Sequence, residues 1–310
     1  MQKPVIFIVG PTAVGKTKLT VELAKALDGE VIYADSMQIY KEMNIGTAKP
    51  TEEEQKGIPH YMIDEVAPNE DFSVADYEER AKKHIHEILS HGKVPIVSGG
   101  TGLYINALLY DMDFGNTVSN TELRKSLKEE SELYGKDYVH GKLEKVDPKA
   151  AEKIHPNNLV KVIRALEVNH ETGANQGDFK EDLQLTTEFQ PILIGLNRKR
   201  KNLYERINLR VDLMIEEGLI QEVKDLLDKG YPKELKAFKG LGYKEVIRYL
   251  QGDNTLHDAI RILKKNTRRY AKRQITWFKR YDFIKWFLLD RYEEEEILLK
   301  EVLDYIENKK

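Results

Sequence analysis

Residues Gly10, Pro11, Thr12, Ala13, Val14, Gly15, Lys16 and Thr17 stand at a spacing that can hold a chain of phosphates. Two glycines with four residues between them let backbone N–H groups turn inward on phosphate oxygens, and a helix opening at Lys16 adds the favourable field of its N-terminus. Lys16 contributes a mobile positive charge, and the Thr17 hydroxyl can take a Mg²⁺ position. The pattern follows an apolar run and opens a helical one, which is the context it requires and which separates it from an ordinary glycine-bearing turn.

A phosphate loop implies a diphosphate or triphosphate without specifying the reaction. Proteins that hydrolyse nucleoside triphosphates on such a loop usually carry a second apolar strand ending in a Mg²⁺-binding Asp. Here the run Val94-Pro95-Ile96-Val97-Ser98 ends in Gly99-Gly100-Thr101-Gly102, with no acid. The acid stands instead after Val31-Ile32-Tyr33-Ala34, at Asp35. At the carboxyl edge of a parallel sheet it could be a metal ligand or a general base. It could equally cap the segment that follows.

The second charged feature is a segment without acids. Residues 261–281 hold Arg261, Lys264, Lys265, Arg268, Arg269, Lys272, Arg273, Lys279 and Arg280, with Ile260, Leu263, Tyr270 and Trp277 at helical spacing. One face would pack on a core and the rest would suit a phosphate backbone. The bland alternative is a solvated face balanced by the acidic run at Glu293–Glu296.

The elements that must position these groups read as an α/β core. Val5–Val9, Val31–Ala34, Val94–Ser98 and Gln190–Leu196 are continuous apolar runs of the kind buried on both faces of a parallel sheet. Helical spacing separates them at 16–27 and 77–89, and Gln190–Leu196 is the last strand expected. Between about 114 and 189 strand-like runs give way to charged helical segments at 122–134 and 158–171. This predicts two domains: a core of 1–113 with 190–310, mostly helical after Lys199, and an inserted helical domain at 114–189. With 310 residues and 41% apolar content each unit can have a core; a net charge of −3 means a nucleic-acid partner needs a local basic patch. The chain has no cysteine, which removes disulfides, thiolate nucleophiles and cysteine-ligated metals and suits a reducing compartment. No run of about eighteen apolar residues or signal-type leader is seen, so a cytoplasmic protein without a membrane segment is expected.

Taken together, GPTAVGKT (10–17), DSMQIY (35–40), GTAKP (46–50), GGTGLY (99–104), VIRALEV (162–168), GLGYKE (240–245) and KRQITWF (272–278) resemble the tRNA dimethylallyltransferase family, in family order and from the N-terminus to about residue 280. The resemblance implies a P-loop NTPase-like doubly wound parallel sheet with an inserted helical domain. It implies transfer of dimethylallyl from dimethylallyl diphosphate to N6 of adenosine 37, beside the anticodon of tRNA, with release of diphosphate and a need for Mg²⁺. The phosphate loop would then hold a leaving group, with Mg²⁺ on Thr17. By the same resemblance Asp35 is the general base, Ser36, Met37 and Gln38 contact the target nucleotides, and Thr101 lies near the reacting centre and the tRNA. Arg124 and the segment Val160, Lys161, Val162, Ile163 and Arg164 correspond to tRNA contacts of the insert. Arg210 aligns with an arginine that reaches the diphosphate, with Arg206 one turn away as its rival. The implied partner is the anticodon stem-loop of tRNA, and the chain is read as a monomer. Two positions depart from the family's usual pattern: Asn44, where Asp is common, and Lys161, where Arg is usual. Lys keeps the charge but loses bidentate geometry. Three rivals belong to other readings of the same residues: a transferase acting on free adenine nucleotides, a nucleoside monophosphate kinase, and a non-enzymatic RNA-binding nucleotide switch.

Overall fold

A computed structural model describes residues 2–112, 120–172 and 184–309. The chain runs β1 (Pro4–Val9), α1 (Lys16–Leu27), β2 (Gly29–Ala34), α2 (Glu52–Gln55), β3 (His60–Tyr61), α3 (Val74–Ser90), β4 (Val94–Gly99) and α4 (Gly102–Leu109). Four helices follow: α5 (Thr121–Tyr134), α6 (Lys136–Val146), α7 (Pro148–Lys153) and α8 (Leu159–Thr172). Then come β5 (Gln190–Asn197), α9 (Arg200–Glu216), α10 (Leu219–Asp228), α11 (Tyr243–Leu250), α12 (Leu256–Phe278), β6 (Lys285–Leu288) and α13 (Glu295–Glu307).

The strands form one parallel sheet in the order β3-β2-β4-β1-β5-β6. Val5 to Val9, Val31 to Ala34 and Ile192 to Ile194 are buried, as continuous apolar strands covered on both faces must be. Register decides where the chemistry falls. Ala34, Gly99, Val9 and Gly195 lie level across β2, β4, β1 and β5. Asp35, Gly100 and Gly10 therefore leave the sheet side by side, at the carboxyl edge where ligands of open α/β sheets bind.

Two strands escape the sequence reading. β6 pairs with Ile194–Asn197 beyond β5, so Gln190–Leu196 is not the last strand. Its four residues are too few to show a period between a basic helix and an acidic tail. β3 has only two. α3 starts ahead of Tyr77 because Ser73 and Asp76 make a reciprocal capping box.

The chain divides into two compact units, residues 1–110 with 185–310, and residues 111–184. The limits of the second unit differ from 114 and 189. Thr186 donates its N–H to Leu109 O, and the buried Phe189 ring stacks on Phe7 with centroids 6.1 Å apart, so 185–189 belong with the sheet. The second unit is all helical where described. Its core gathers Leu127, Val139, Leu143, Ala150, Ala151, Val162, Ile163 and Ala165.

Candidate active site

The phosphate loop has the backbone its sequence demands. A side chain at Gly10 would place Cβ 2.6 Å from Leu196 O of the neighbouring strand. Gly15 has a φ of 109°, and Ala13, although not glycine, is held at a φ of 62°. Left-handed backbone at a residue with a Cβ is costly and persists only where its surroundings impose it. Gly15 caps α1 with no side-chain bond, and the first turn of α1 has no acid, so the positive end of this helix is not neutralised locally.

Lys16 donates to Gly10 O and Pro11 O, each at 3.1 Å. Burial pushes its ammonium down to about 8; the Asp35 charge pulls it up, and the Arg210 cation adds a lesser downward push. Arg198 donates Nε to Val14 O at 3.0 Å, and Arg206 donates Nε to Ala13 O at 2.9 Å. Asp290 holds Arg198 at 3.5 Å and accepts from Asn202 at 2.7 Å. Arg198 and Arg206 thus brace the loop through its carbonyls. Arg210, one turn along α9, differs: its guanidinium has no hydrogen bond or ion pair among the described residues. It lies close enough to Lys16 and Asp35 to shift with them, and burial lowers its affinity for protons.

Asp35 begins a turn, not a helix. Its Oδ1 accepts the Met37 N–H at 2.9 Å, so the capping alternative survives only as this local bond, and one carboxylate oxygen remains for other work. The Ser36 N–H donates to Thr101 Oγ1 at 3.0 Å, and Thr101 N–H donates to Ala34 O at 3.0 Å. Thr101 precedes α4 yet makes no capping bond, because its hydroxyl faces Ser36. Gly99 permits the approach: a Cβ there would sit 2.1 Å from Ala34 O. Tyr33, Tyr77, Tyr104 and Tyr270 surround this point. Burial raises each phenol, and the Asp35 charge raises each further. Tyr77 and Tyr104 stack at 3.9 Å, and the buried Tyr77 hydroxyl has no hydrogen-bond partner among the described residues.

Met37 packs against Gly240, where a Cβ would meet its methyl at 2.6 Å. Gln38 donates to Thr47 O and Ala48 O, both at 3.1 Å, which fixes the GTAKP turn beside the Asp35 segment. The stretch before that turn is held by Glu222, which accepts from Asn44 N, Ile45 N, Gly46 N and the Tyr243 hydroxyl between 2.6 and 3.1 Å. Glu222 was invisible in the sequence as a functional position.

α12 is two-sided. Leu263, Thr267, Ala271, Gln274 and Phe278 are buried. Lys265, Arg269, Lys272 and Lys279 are exposed and, among the described residues, make no ion pair or side-chain hydrogen bond. Arg268 is committed elsewhere, bonded to Asn208 at 2.5 Å and lying over the Tyr204 ring.

In the helical unit Arg124 and Arg164 meet on one carboxylate. Arg124 grips Glu167 through two bonds of 2.7 Å, and Arg164 adds one of 2.6 Å. The Glu167 side chain is fully buried; burial raises its pKa, and the two arginines outweigh that and hold it below the ordinary range. Val162 and Ile163 face the unit's core, so of the 160–164 segment the exposed side chains are Val160 and Lys161, with Arg164 partly so.

The sheet, the glycine-bearing loop and the cation pair beside it define an α/β phosphate-binding protein of the P-loop class. The family model described as IPP transferase matches residues 38–281, and the chain belongs to that family. It is 58% identical over 308 residues to the tRNA dimethylallyltransferase of Alkaliphilus metalliredigens, covering 98% of this chain and 99% of that one. The Clostridioides difficile protein of the same name is 52% identical, covering 98% of each. Among solved structures, the Bacillus halodurans tRNA isopentenylpyrophosphate transferase is 45% identical, with a TM-score of 0.75 over 100% of this chain and 97% of that one. A eukaryotic dimethylallyltransferase acting on tRNA has a TM-score of 0.83 at 31% identity, covering 99% of this chain and 80% of that one.

Proposed function

We propose that this chain moves the dimethylallyl group of dimethylallyl diphosphate onto N6 of adenosine 37, next to the anticodon of tRNA, and releases diphosphate. The observation that carries the reading is the grouping of Lys16, Arg210 and Asp35 at one sheet edge, with the Arg210 guanidinium making no hydrogen bond or ion pair among the described residues. An allylic carbon shares positive charge with its alkene, so its bond to oxygen can break early and the principal task is to stabilise the departing anion. Lys16, Arg210 and the N–H groups of Gly15, Lys16 and Thr17 at the start of α1 do this by preorganised electrostatics, worth on the order of 3 kcal/mol per donor. The adenine N6 forms its bond to carbon as the C–O bond breaks; its proton then becomes acidic and passes to Asp35, a contribution of about 10²- to 10⁴-fold.

The donor set suits Mg²⁺. The Thr17 hydroxyl has no hydrogen-bond partner among the described residues, and in P-loop proteins the Ser or Thr at this position holds Mg²⁺ together with substrate phosphates. When bound there it supplies further positive charge to the leaving oxygens.

The target base must leave its stack to reach a site at this depth. Ser36, Met37, Gln38 and Thr101 are read as its neighbours; Arg124, Val160, Lys161 and Arg164 as contacts to the anticodon stem-loop, Val162 and Ile163 acting only through the backbone; and α12 as the grip on the phosphate backbone. The exposed unpaired cations of α12 favour this over a free nucleotide acceptor, which needs no such surface. The enzyme is read as a cytoplasmic monomer; among the described residues no helix is long and apolar enough to cross a membrane. Incubation with unmodified tRNA or with AMP, dimethylallyl diphosphate and Mg²⁺, followed by mass spectrometry of the nucleosides, tests the reading. Prenylated adenosine from tRNA alone is expected, and product from AMP alone would refute it.

A further inference from the structure

We propose that Gln274 is a positioning residue for this transfer: from α12 it sets the separation between the phosphate loop and the Gly100–Thr101 turn without touching donor or acceptor. The inference rests on the proposed function and deepens it.

The two loops leave adjacent parallel strands, and the last ladder pair between them is Val9 with Gly99. Beyond that pair Gln274 takes over. The Thr12 N–H donates to its Oε1 at 2.9 Å, and its Nε2 donates to Gly100 O at 2.9 Å. The side chain is only 5% exposed, so neither bond is a chance surface contact. A carboxamide carries a donor and an acceptor on one carbon, so it can satisfy an N–H on one loop and a C=O on the other at once.

The glycines opposite are explained by the same contact. A Cβ on Gly100 would lie 2.2 Å from Gln274 Nε2, and one on Gly102 would lie 2.4 Å from the Trp277 ring. The GGTG turn is thus shaped to receive α12, and the segment KRQITWF supplies what it receives. Tyr270, one turn earlier on α12, brings its hydroxyl beside both Thr101 and Gln274. The loop at one end of this bridge would hold the leaving diphosphate, and the turn at the other end holds the Asp35 segment through Ser36 and Thr101. A displacement of the two by about 1 Å would cost on the order of 10²-fold in rate.

The test uses the full-length protein and two variants, Gln274→Met and Gln274→Glu. Gln274→Met keeps the volume and removes both bonds. It should lower kcat for tRNA prenylation by about 10²-fold, weaken binding of inorganic pyrophosphate and leave tRNA affinity unchanged. Gln274→Glu keeps the acceptor and lacks the donor when ionised, so its activity relative to the parent protein should climb as pH falls and the carboxyl regains a proton. A general loss of stability would not produce that profile. Wild-type kcat in Gln274→Met, or a flat activity ratio across pH in a folded Gln274→Glu, would overturn the proposal. If the parent protein prenylates no tRNA, the proposed function fails by itself. The bridge is then judged by pyrophosphate affinity alone, and equal affinity in parent and Gln274→Met would overturn it.

Discussion

Thr101 accepts the backbone N–H of Ser36 at 3.0 Å, joining the end of β4 to the residue after Asp35. Removing this hydroxyl in Thr101→Val leaves a part-buried N–H without a partner, at a cost of about 1 kcal/mol, and frees the Asp35 turn. The prediction is a kcat about 10- to 100-fold lower with little change in tRNA affinity, and near-parental activity in Thr101→Ser. Steady-state kinetics on tRNA settles it; an active Thr101→Val would show that the bond does not order the turn.

Lys16 supplies a pH dependence with a definite sign. Its ammonium is depressed to about 8 by burial, which outweighs the upward pull of Asp35, so the ligand-free site loses a cation as pH rises through that value. The KM for dimethylallyl diphosphate is expected to be flat below pH 8 and to climb above it, by up to about tenfold per pH unit. A KM constant to pH 10 contradicts the assignment. The same depression is a stability cost that is full below pH 8 and vanishes as pH approaches the unfolded value of 10.5. Lys16→Met should therefore raise Tm at pH 7 while lowering transfer by about 10²- to 10³-fold.

The pairing of Arg124 and Arg164 on Glu167 predicts an acid-sensitive helical unit. A carboxylate held below its ordinary pKa contributes stability above the unfolded value of 4.5 and loses it as pH falls through the folded one. Glu167→Ala would remove the carboxylate that both arginines bond and cost about 3 kcal/mol, the low end for such a site because both arginine side chains are 34% exposed. Hydrogen exchange of α5 and α8 should rise in this variant at pH 7 and in the parent below pH 4.5. Unchanged protection in both would refute the pairing.

On α12 the cations should sort into two kinds. Charge-removing changes at Lys265, Arg269 or Lys272 should weaken tRNA binding and reduce its salt slope by about one per residue, with unaltered Tm. Arg268→Ala should instead lower Tm, since Arg268 lies on Tyr204 and Asn208. Salt titrations of tRNA affinity, read beside melting curves, separate the classes; equal behaviour of all four would contradict the two-sided reading.

The sheet was legible because β1, β2, β4 and β5 are unbroken apolar runs, and the phosphate loop because its residues are contiguous. β6 was missed because it is four residues long and finds its place only through pairing with β5. The supports of the site were hidden for a related reason. Gln274 lies 262 residues from the Thr12 N–H it accepts, and Glu222 lies 178 from the Asn44 N–H it accepts. Such bonds leave no local period. Arg206 and Arg210 share a helix face and read alike in sequence; only the fold turns the Arg206 Nε to Ala13 O and leaves Arg210 with no hydrogen bond or ion pair among the described residues.

The central claim is that a diphosphate leaves from the loop at 10–17 while Asp35 takes the proton of the attacking base. Single-turnover transfer to tRNA by Asp35→Asn, with donor affinity measured on the same samples, tests it most directly. A rate lower by about 10²- to 10⁴-fold with unchanged donor affinity is expected. A parental rate, or a loss that appears only as weaker donor binding, would contradict it.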